Sequence, residues 1–373
     1  MKQEAAGPLS AEAQSAFQKA LLHWYRINQR NLPWRKTRDP YRIWTSEIML
    51  QQTRVNTVLA YYNRFLEHFP DIFSLAAADL ETVLKLWEGL GYYSRARNFH
   101  SAARQLAADG GAVPEDWDLF RRLPGVGDYI AAAVLSIAFD KPYPVVDGNV
   151  KRVLSRLFEI QEPVNRQASY KRFKAACSHI FHKDQPGEFN QALMELGALL
   201  CKSKGPDCAC CPVAYWCSAR LQDRVVHYPV RDRRKPVPRY RMAIGIVVKG
   251  RQLLIVKRPL DRMLGGLWEF PGGAVGPNEA AEAACARYVR ETAGLSVTVD
   301  SRLTTVRHAY THFKIVADVF ICRYAGGRVR RNEAPAHRWV GINALSRYPF
   351  AGAQHKFFPA LTDWYATRSR DIP

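Results

Sequence analysis

Cys201, Cys208, Cys211 and Cys217 follow the spacing C-x6-C-x2-C-x5-C, and four thiols within seventeen residues are too crowded to be independent core cysteines. Disulfides are disfavoured in the intracellular setting expected below. That leaves a metal, either zinc in a four-thiolate site or an iron–sulfur cluster. Zinc sites usually pair two short C-x2-C knuckles, and only one is present. A single knuckle with wide flanking gaps better suits the larger volume of a 4Fe–4S cube. Cys210 falls outside the register, and Cys177, Cys285 and Cys322 are scattered as buried thiols are.

Two carboxyl groups also stand where chemistry can happen. Asp147 lies in a Val-Asp-Gly-Asn turn that starts a helix, twenty residues after the turn Pro124-Gly125-Val126-Gly127. Glycines at a helix N-terminus let backbone N–H groups approach a bulky anion. A phosphate grip followed by a fixed carboxylate points to chemistry on nucleic acid. The plainer alternative is a helix–turn–helix joint with an N-cap aspartate. Glu47 lies at the edge of a buried apolar stripe, where desolvation raises a carboxyl pKa. Its plainer alternative is a surface glutamate in a first helical turn.

Helical patterns must position these groups. Residues 12–30 read as an amphipathic helix, and apolar positions recur every three to four residues from Tyr41 to Phe69. Further helices are expected at 79–87, 94–108, 115–123, 127–139, 148–160, 169–182 and 188–200, with no strand alternation before about residue 240. Seven basic residues face one acidic residue between Arg224 and Arg241, and Pro229, Pro236 and Pro238 prevent regular structure, which marks a linker. Beyond it the period becomes two. Met242–Val248 and Gln252–Lys257 resemble a hairpin around Lys249-Gly250, followed by a helix at 278–293 and strands near 295–308 and 312–324.

Composition narrows the partner. The chain has 373 residues, 54 Lys+Arg against 34 Asp+Glu and a net charge of +20, an excess that favours a polyanion, with a merely solvated basic surface as the alternative. The longest apolar run, Tyr129 to Phe139, is too short to span a bilayer, and the first ten residues lack the apolar core of a secretion signal. A soluble, intracellular monomer is expected, cytoplasmic and nucleoid-associated in a bacterium.

The cysteine spacing directly after a helical portion carrying Leu123-Pro124-Gly125-Val126-Gly127 and Val146-Asp147-Gly148-Asn149-Val150 resembles the endonuclease III superfamily of DNA glycosylases. Within it the match is to the MutY family of adenine glycosylases, supported in order by Leu32-Pro33-Trp34-Arg35, by residues 46–53 (SEIMLQQT) and by residues 89–98 (GLGYYSRARN). The resemblance implies an all-α helix-hairpin-helix glycosylase domain over 1–225. In it a six-helix region of about 39–147 joins an iron–sulfur module formed by 10–38 and 148–225. A basic linker over 226–240 then leads to an α+β Nudix-like domain over 241–366.

Roles follow from the same resemblance. Glu47 would protonate N7 of adenine and, once ionised, serve the water step. Asp147 would stay ionised and stabilise or trap the sugar cation. Family members that also cut the backbone carry a Schiff-base lysine where this chain has Tyr129, so a monofunctional enzyme is implied. Tyr129 and Asn149 would orient the carboxylates and the sugar. Arg30 and Trp34 would help line the adenine pocket, Arg35 would contact the substrate DNA, and Gln52 and Tyr92 would enter the base stack near the opposing base. Leu123, Gly125 and Gly127 would grip phosphate, and Lys151 would add a phosphate contact. Cys201, Cys208, Cys211 and Cys217 would hold a 4Fe–4S cluster whose loop presents Lys202, Lys204 and Arg220 to DNA. The implied substrate is double-stranded DNA with adenine opposite 8-oxoguanine or guanine. A non-catalytic lesion binder and a bifunctional glycosylase/lyase are the alternatives.

The C-terminal portion resembles a Nudix domain. Gly273, Glu279, Arg287, Val289, Glu291, Gly294 and Leu295 fit the box G-x5-E-x7-R-E-U-x-E-E-x-G-U, but Tyr288 and Thr292 replace two glutamates that would ligate hard cations. Pyrophosphate hydrolysis is therefore not expected. MutY proteins read 8-oxoguanine through a Phe-Ser-His loop, which here becomes Tyr310-Thr311-His312, keeping an aromatic body and a hydroxyl.

Overall fold

A computed structural model describes residues 9–233, 236–329 and 335–368. Helix α1 (Ala11–Asn28) starts on Ser10, whose hydroxyl caps the Ala13 N–H, and buries Phe17, Leu21, Leu22 and Tyr25. The apolar rhythm from Tyr41 to Phe69 is two helices, α2 (Pro40–Leu50) and α3 (Val55–His68). The polar run Gln51–Arg54 separates them, with Gln52 in the left-handed region at φ 58°. Periodicity alone cannot register that break, because no glycine or proline marks it.

After α3 come α4 (Ile72–Ala77), α5 (Leu80–Leu86), α6 (Ser94–Ala108), α7 (Trp117–Arg121), α8 (Asp128–Phe139), α9 (Gly148–Leu157), α10 (Tyr170–Ile180), α11 (Pro186–Leu199) and α12 (Ser218–Leu221). Helix α4 has no counterpart among the expected elements; its six residues are too few to show a period. Among the described residues, 9–73 and 102–233 form one compact unit, and 74–101 with 236–368 form the other. No helix among them is long and apolar enough to cross a membrane.

The first unit is built on apolar side chains of α1, α9, α10 and α11, including Phe17, Leu154, Phe173, Phe189 and Leu193. Fully buried Asn190 of α11 ties down the chain just before Asp147. Its Oδ1 accepts the Val145 N–H at 2.9 Å, and its Nδ2 donates to the Tyr143 carbonyl and to Ser136 Oγ, each at 2.8 Å. The expected tether is partly docked. Val164 N–H donates to the Val230 carbonyl at 3.0 Å, Arg156 Nε to the Tyr228 carbonyl at 3.1 Å, and Arg166 pairs with Asp232. Arg234 and Lys235 lie outside the described residues.

The second unit is α+β. Its strands are β1 (Arg239–Lys249), β2 (Gln252–Lys257), β3 (Trp268–Glu269), β4 (Gly272–Ala274), β5 (Leu295–Ala309), β6 (Lys314–Gly327) and β7 (His337–Val340). They form a mixed sheet in the order β3-β2-β1-β6-β5, with β4 on β1 and β7 on β2. β1 and β6 run parallel, and the expected β1–β2 hairpin pairs Val248 with Leu253. Helix α13 (Ala281–Ala293) packs Ala284, Cys285 and Val289 into a core with residues of β1, β2, β5 and β6. Gly245 of β1 permits this approach, since a Cβ there would sit 2.8 Å from Val289 and 2.9 Å from Cys285. A second cluster holds Trp268, Phe270, Phe350 and Phe357, with Leu361 from α15 (Phe358–Arg368), which follows the short α14 (Gly352–His355).

Segment 74–101 belongs to this unit through polar contacts that sequence periodicity does not reveal. Glu81 pairs with Lys257 and accepts from Trp268 Nε1, at 2.8 and 2.9 Å. Glu88 accepts from the Phe350 N–H at 2.7 Å and contacts His355 at 2.8 Å, while Arg97 donates to the Gly265 carbonyl at 2.9 Å.

Candidate active site

A cavity of about 640 Å³ in the first unit collects Glu47 from α2, Tyr129 from α8, Asp147 and Asn149 from the start of α9, and Arg30, Trp34 and Arg35 from the loop after α1. Glu47 is 4% exposed, and the Tyr129 hydroxyl donates to its Oε2 at 2.6 Å. Burial pushes the Glu47 carboxyl up to about 7, with the Tyr129 bond and Arg35 opposing and the Asp147 charge adding to the rise. Burial and the two neighbouring carboxylates hold the Tyr129 hydroxyl well above its ordinary value, so it remains a donor.

Asp147 is the N-cap of α9. Its Oδ1 accepts the Val150 N–H at 2.7 Å, and its Oδ2 accepts from Asn149 Nδ2 at 3.0 Å. Desolvation raises its pKa, while these donors and Arg152 hold it down. The two acids therefore sit in different surroundings: Glu47 is enclosed, with one hydroxyl donor, and Asp147 is bound to the positive end of a helix.

Glu195 is a site residue that the sequence reading missed. Its carboxylate, 1% exposed, bonds Arg30 at 2.9 and 2.5 Å and Arg35 at 2.8 Å through both oxygens, all lining the same cavity. Burial would raise its pKa, but the two guanidinium groups outweigh burial and hold it at about 2. The available signal was a lone acid inside the apolar run Ala192-Leu193-Met194-Glu195-Leu196, since a buried charge needs a partner. Trp34 is buried and meets Tyr62 edge-on at 5.1 Å.

The glycine turn leads straight into α8. Val126 N–H donates to the Leu123 carbonyl at 3.1 Å, Gly125 takes φ 81°, and Gly127 is the N-cap with nothing within 4 Å of where a Cβ would sit. Tyr129 is the second residue of α8, so the same turn sets both the backbone N–H groups and the Glu47 donor. Gln52 does not line the cavity, although its neighbour Thr53 does, and Lys151 turns its Nζ to the Val164 carbonyl at 3.3 Å.

Cys201, Cys208, Cys211 and Cys217 line one cavity together with Arg156 and Arg220, while Cys210 is exposed outside it. Arg156 Nη1 donates to Cys201 Sγ at 3.2 Å. Among the described residues, no three His, Cys, Asp or Glu side chains are grouped to hold a single ion. One face of α9 spans from this module to the catalytic cavity: Arg152 bonds the Cys201 and Gly197 carbonyls at 2.7 and 2.6 Å and Asn149 Oδ1 at 2.9 Å.

In the second unit, the Tyr92 and Thr311 hydroxyls are 2.7 Å apart. Thr311 and exposed His312 occupy the turn between β5 and β6, closed by the Tyr310 N–H to the Phe313 carbonyl at 2.8 Å. Tyr92 takes φ 48°, which like that of Gln52 is a left-handed conformation uncommon for residues with a Cβ.

Residues 45–184 match the HhH-GPD superfamily of base excision DNA repair proteins, and residues 243–360 match the NUDIX domain. A rat protein named adenine DNA glycosylase is 34% identical over 92% of this chain and 77% of its own length. The chain belongs to the adenine DNA glycosylase family. A human relative of the same name is 34% identical over 92% of this chain and 73% of its own length. An Arabidopsis thaliana relative is 35% identical over 94% of this chain, and the match spans 65% of that relative's length. Among solved structures, a thermostable thymine-DNA glycosylase is similar at 28% identity and a TM-score of 0.51, covering 57% of this chain and 98% of that one.

The fold of the family member is thus a helical glycosylase domain followed by a Nudix-like α+β domain. In the latter, the acids that remain of the Nudix box are occupied. Glu279 and Glu291 both pair with Arg287, at 2.7 and 3.3 Å, and Glu279 also accepts the Gly276 N–H. A Cβ at Gly273 would lie 2.1 Å from the Tyr288 ring, so the tyrosine that replaces a glutamate covers the first glycine of the box.

Proposed function

We propose that this protein is a monofunctional DNA glycosylase that flips adenine out of a mispair with 8-oxoguanine or guanine and hydrolyses its N-glycosidic bond, leaving an abasic site. The observation that carries the reading is the Tyr129–Glu47 hydrogen bond in a cavity that Asp147 also lines. Removing a base requires a proton on the leaving group and stabilisation of a sugar cation. A carboxyl near 7 is half protonated at neutral pH and can supply the proton. Asp147, held by backbone and amide donors, faces the developing positive charge as an anion.

Arg30, Trp34 and Arg35 enclose the base, with Glu195 fixing both guanidinium groups. Gly125 and Gly127 present backbone N–H groups to phosphate, while Leu123, whose own N–H goes to the Phe120 carbonyl, closes the turn by accepting from Val126. Lys151 joins them once its Nζ leaves the Val164 carbonyl. Gln52 enters the base stack near the opposing base, and within the second unit the Tyr92–Thr311 pair with His312 reads the 8-oxoguanine. Tyr129 has no amine to form an imine with the sugar, so the backbone stays intact.

The four-cysteine cavity suits a 4Fe–4S cluster held by Cys201, Cys208, Cys211 and Cys217. The donors are soft thiolates, and Arg156, which donates to Cys201 Sγ, would offset the net negative charge of a thiolate-bound cluster. When bound, the cluster supplies a rigid cross-link over residues 201–217. Lys202, Lys204 and Arg220 are then available to DNA.

The test is incubation with a duplex containing 8-oxoguanine opposite adenine, followed by strand analysis with and without hot alkali. Nicks only after alkali are expected. No nicks in either sample would indicate a lesion binder, and nicks without alkali would indicate a lyase.

A further inference from the structure

We infer that a second cavity in the first unit is the outlet for the excised base and the inlet for the hydrolytic water. The inference rests on the glycosylase reading above. The second cavity, of about 510 Å³, adjoins the catalytic one, and Arg35, Ile137 and Gln191 line both.

Helix α8 gives the pair of cavities a direction. Its N-terminus carries the glycine turn and Tyr129 of the catalytic cavity, Ile137 lies two turns further on, and Asp140 at its C-cap lines the second cavity. At 1.5 Å per residue, Tyr129 and Asp140 are about 16 Å apart along the axis. The second cavity is therefore at the end of α8 away from the phosphate-binding turn.

The chemistry needs such a route. A flipped base projects beyond its sugar, so the sugar and its phosphates fill the mouth by which the base entered. Hydrolysis breaks the N9–C1′ bond, puts a proton on adenine and bonds the water oxygen to C1′. One purine must leave and one water must arrive while the duplex still covers the entrance.

The second cavity has walls for a neutral, planar molecule rich in donors and acceptors: the Tyr25 ring, the Gln29 and Gln191 amides and the Thr37 hydroxyl. At its rim Arg38 pairs with Asp140 and Glu188 with Arg26, and Lys36 lines it from the exposed side; the first pair is well exposed at 67% and 52%. Between the cavities, Gln191 Nε2 holds the Gly187 carbonyl by a long 3.3 Å bond. A rotamer change at Gln191 widens the passage without disturbing the Glu195 ion pairs.

The test uses the full chain and a duplex with radiolabelled adenine opposite 8-oxoguanine, under single-turnover conditions. Cleavage is read by alkali, and adenine release by rapid ultrafiltration of the enzyme–DNA complex. In the unsubstituted protein, labelled adenine should reach the filtrate while the abasic duplex is still bound. Thr37→Trp and Gln29→Trp, both at positions with exposed surface, plug the outer half of the second cavity. Each should cleave at the normal rate but release adenine about tenfold more slowly or worse.

The proposal is overturned if adenine leaves only together with the DNA. It is also overturned if a variant with normal melting temperature releases adenine at the normal rate, or loses cleavage and release together. If one variant does not fold, the other decides. Absence of cleavage by the unsubstituted protein would overturn the glycosylase reading instead.

Discussion

Replacing Tyr129 with phenylalanine should move the alkaline limb of the excision rate to higher pH. The Tyr129 hydroxyl donates to Glu47 Oε2 at 2.6 Å and so favours the ionised carboxyl, while burial sets that carboxyl at about 7. A hydrogen bond to a charged group contributes about 1.5–3 kcal/mol, and one pKa unit corresponds to about 1.4 kcal/mol. Losing the donor destabilises the carboxylate, so the Glu47 pKa rises by about one to two units and the protonated acid survives to higher pH. In the unsubstituted enzyme the rate should fall about tenfold per pH unit above about 7. In Tyr129→Phe the fall should begin near about 8–9. The assay is single-turnover adenine excision across this pH range, scored by alkali-induced nicking. The height of the acid plateau reports how well Tyr129 orients the acid, whereas the position of the limb reports the hydrogen bond alone. A limb that stays near 7 or moves down would refute the reasoning, as would any similar limb in Glu47→Gln.

Glu195→Gln should destabilise the protein by about 3 kcal/mol at pH 7 in urea unfolding, because it strands the Arg35 guanidinium, which is 10% exposed. Since folding lowers the Glu195 pKa from 4.5 to about 2, this contribution is present above about 4.5 and is lost as pH falls through about 2. The gap between the two proteins should close over that window. Gly127→Ala should leave the melting temperature unchanged, because φ is −93° and nothing lies within 4 Å, yet weaken duplex binding by crowding the phosphate. Gly125→Ala, at φ 81°, should itself cost about 1–2 kcal/mol of stability. Thr311→Val removes the 2.7 Å bond to Tyr92 and should lower the preference for 8-oxoguanine over guanine by about fivefold, measured by competition binding.

Much of the site was legible before any fold was known, because its pieces are local. The glycine turn and the Val-Asp-Gly-Asn cap each lie within a few residues and the four cysteines within seventeen, so the pieces can be recognised without knowing what the distant chain does. Helices such as Ser94–Ala108 and Asp128–Phe139 were readable for the same reason. The break at Gln51–Arg54 was not, since an apolar period can run on through a turn. Glu195 escaped notice because its partners, Arg30 and Arg35, are about 160 residues away in sequence.

The sequence by itself determined the residue types: a carboxyl at 47, a carboxyl at 147, a tyrosine without an amine at 129 and four thiols at one spacing. Only the tertiary structure decided what those groups can do. It enclosed Glu47 almost completely and raised its pKa, placed a hydroxyl 2.6 Å from it, and bound Asp147 to the start of a helix. It also assigned residues 74–101 to the C-terminal unit, through carboxylates whose partners lie beyond residue 250. Protonation state and long-range pairing depend on burial and on neighbours distant in sequence, and neither exists until the chain has folded.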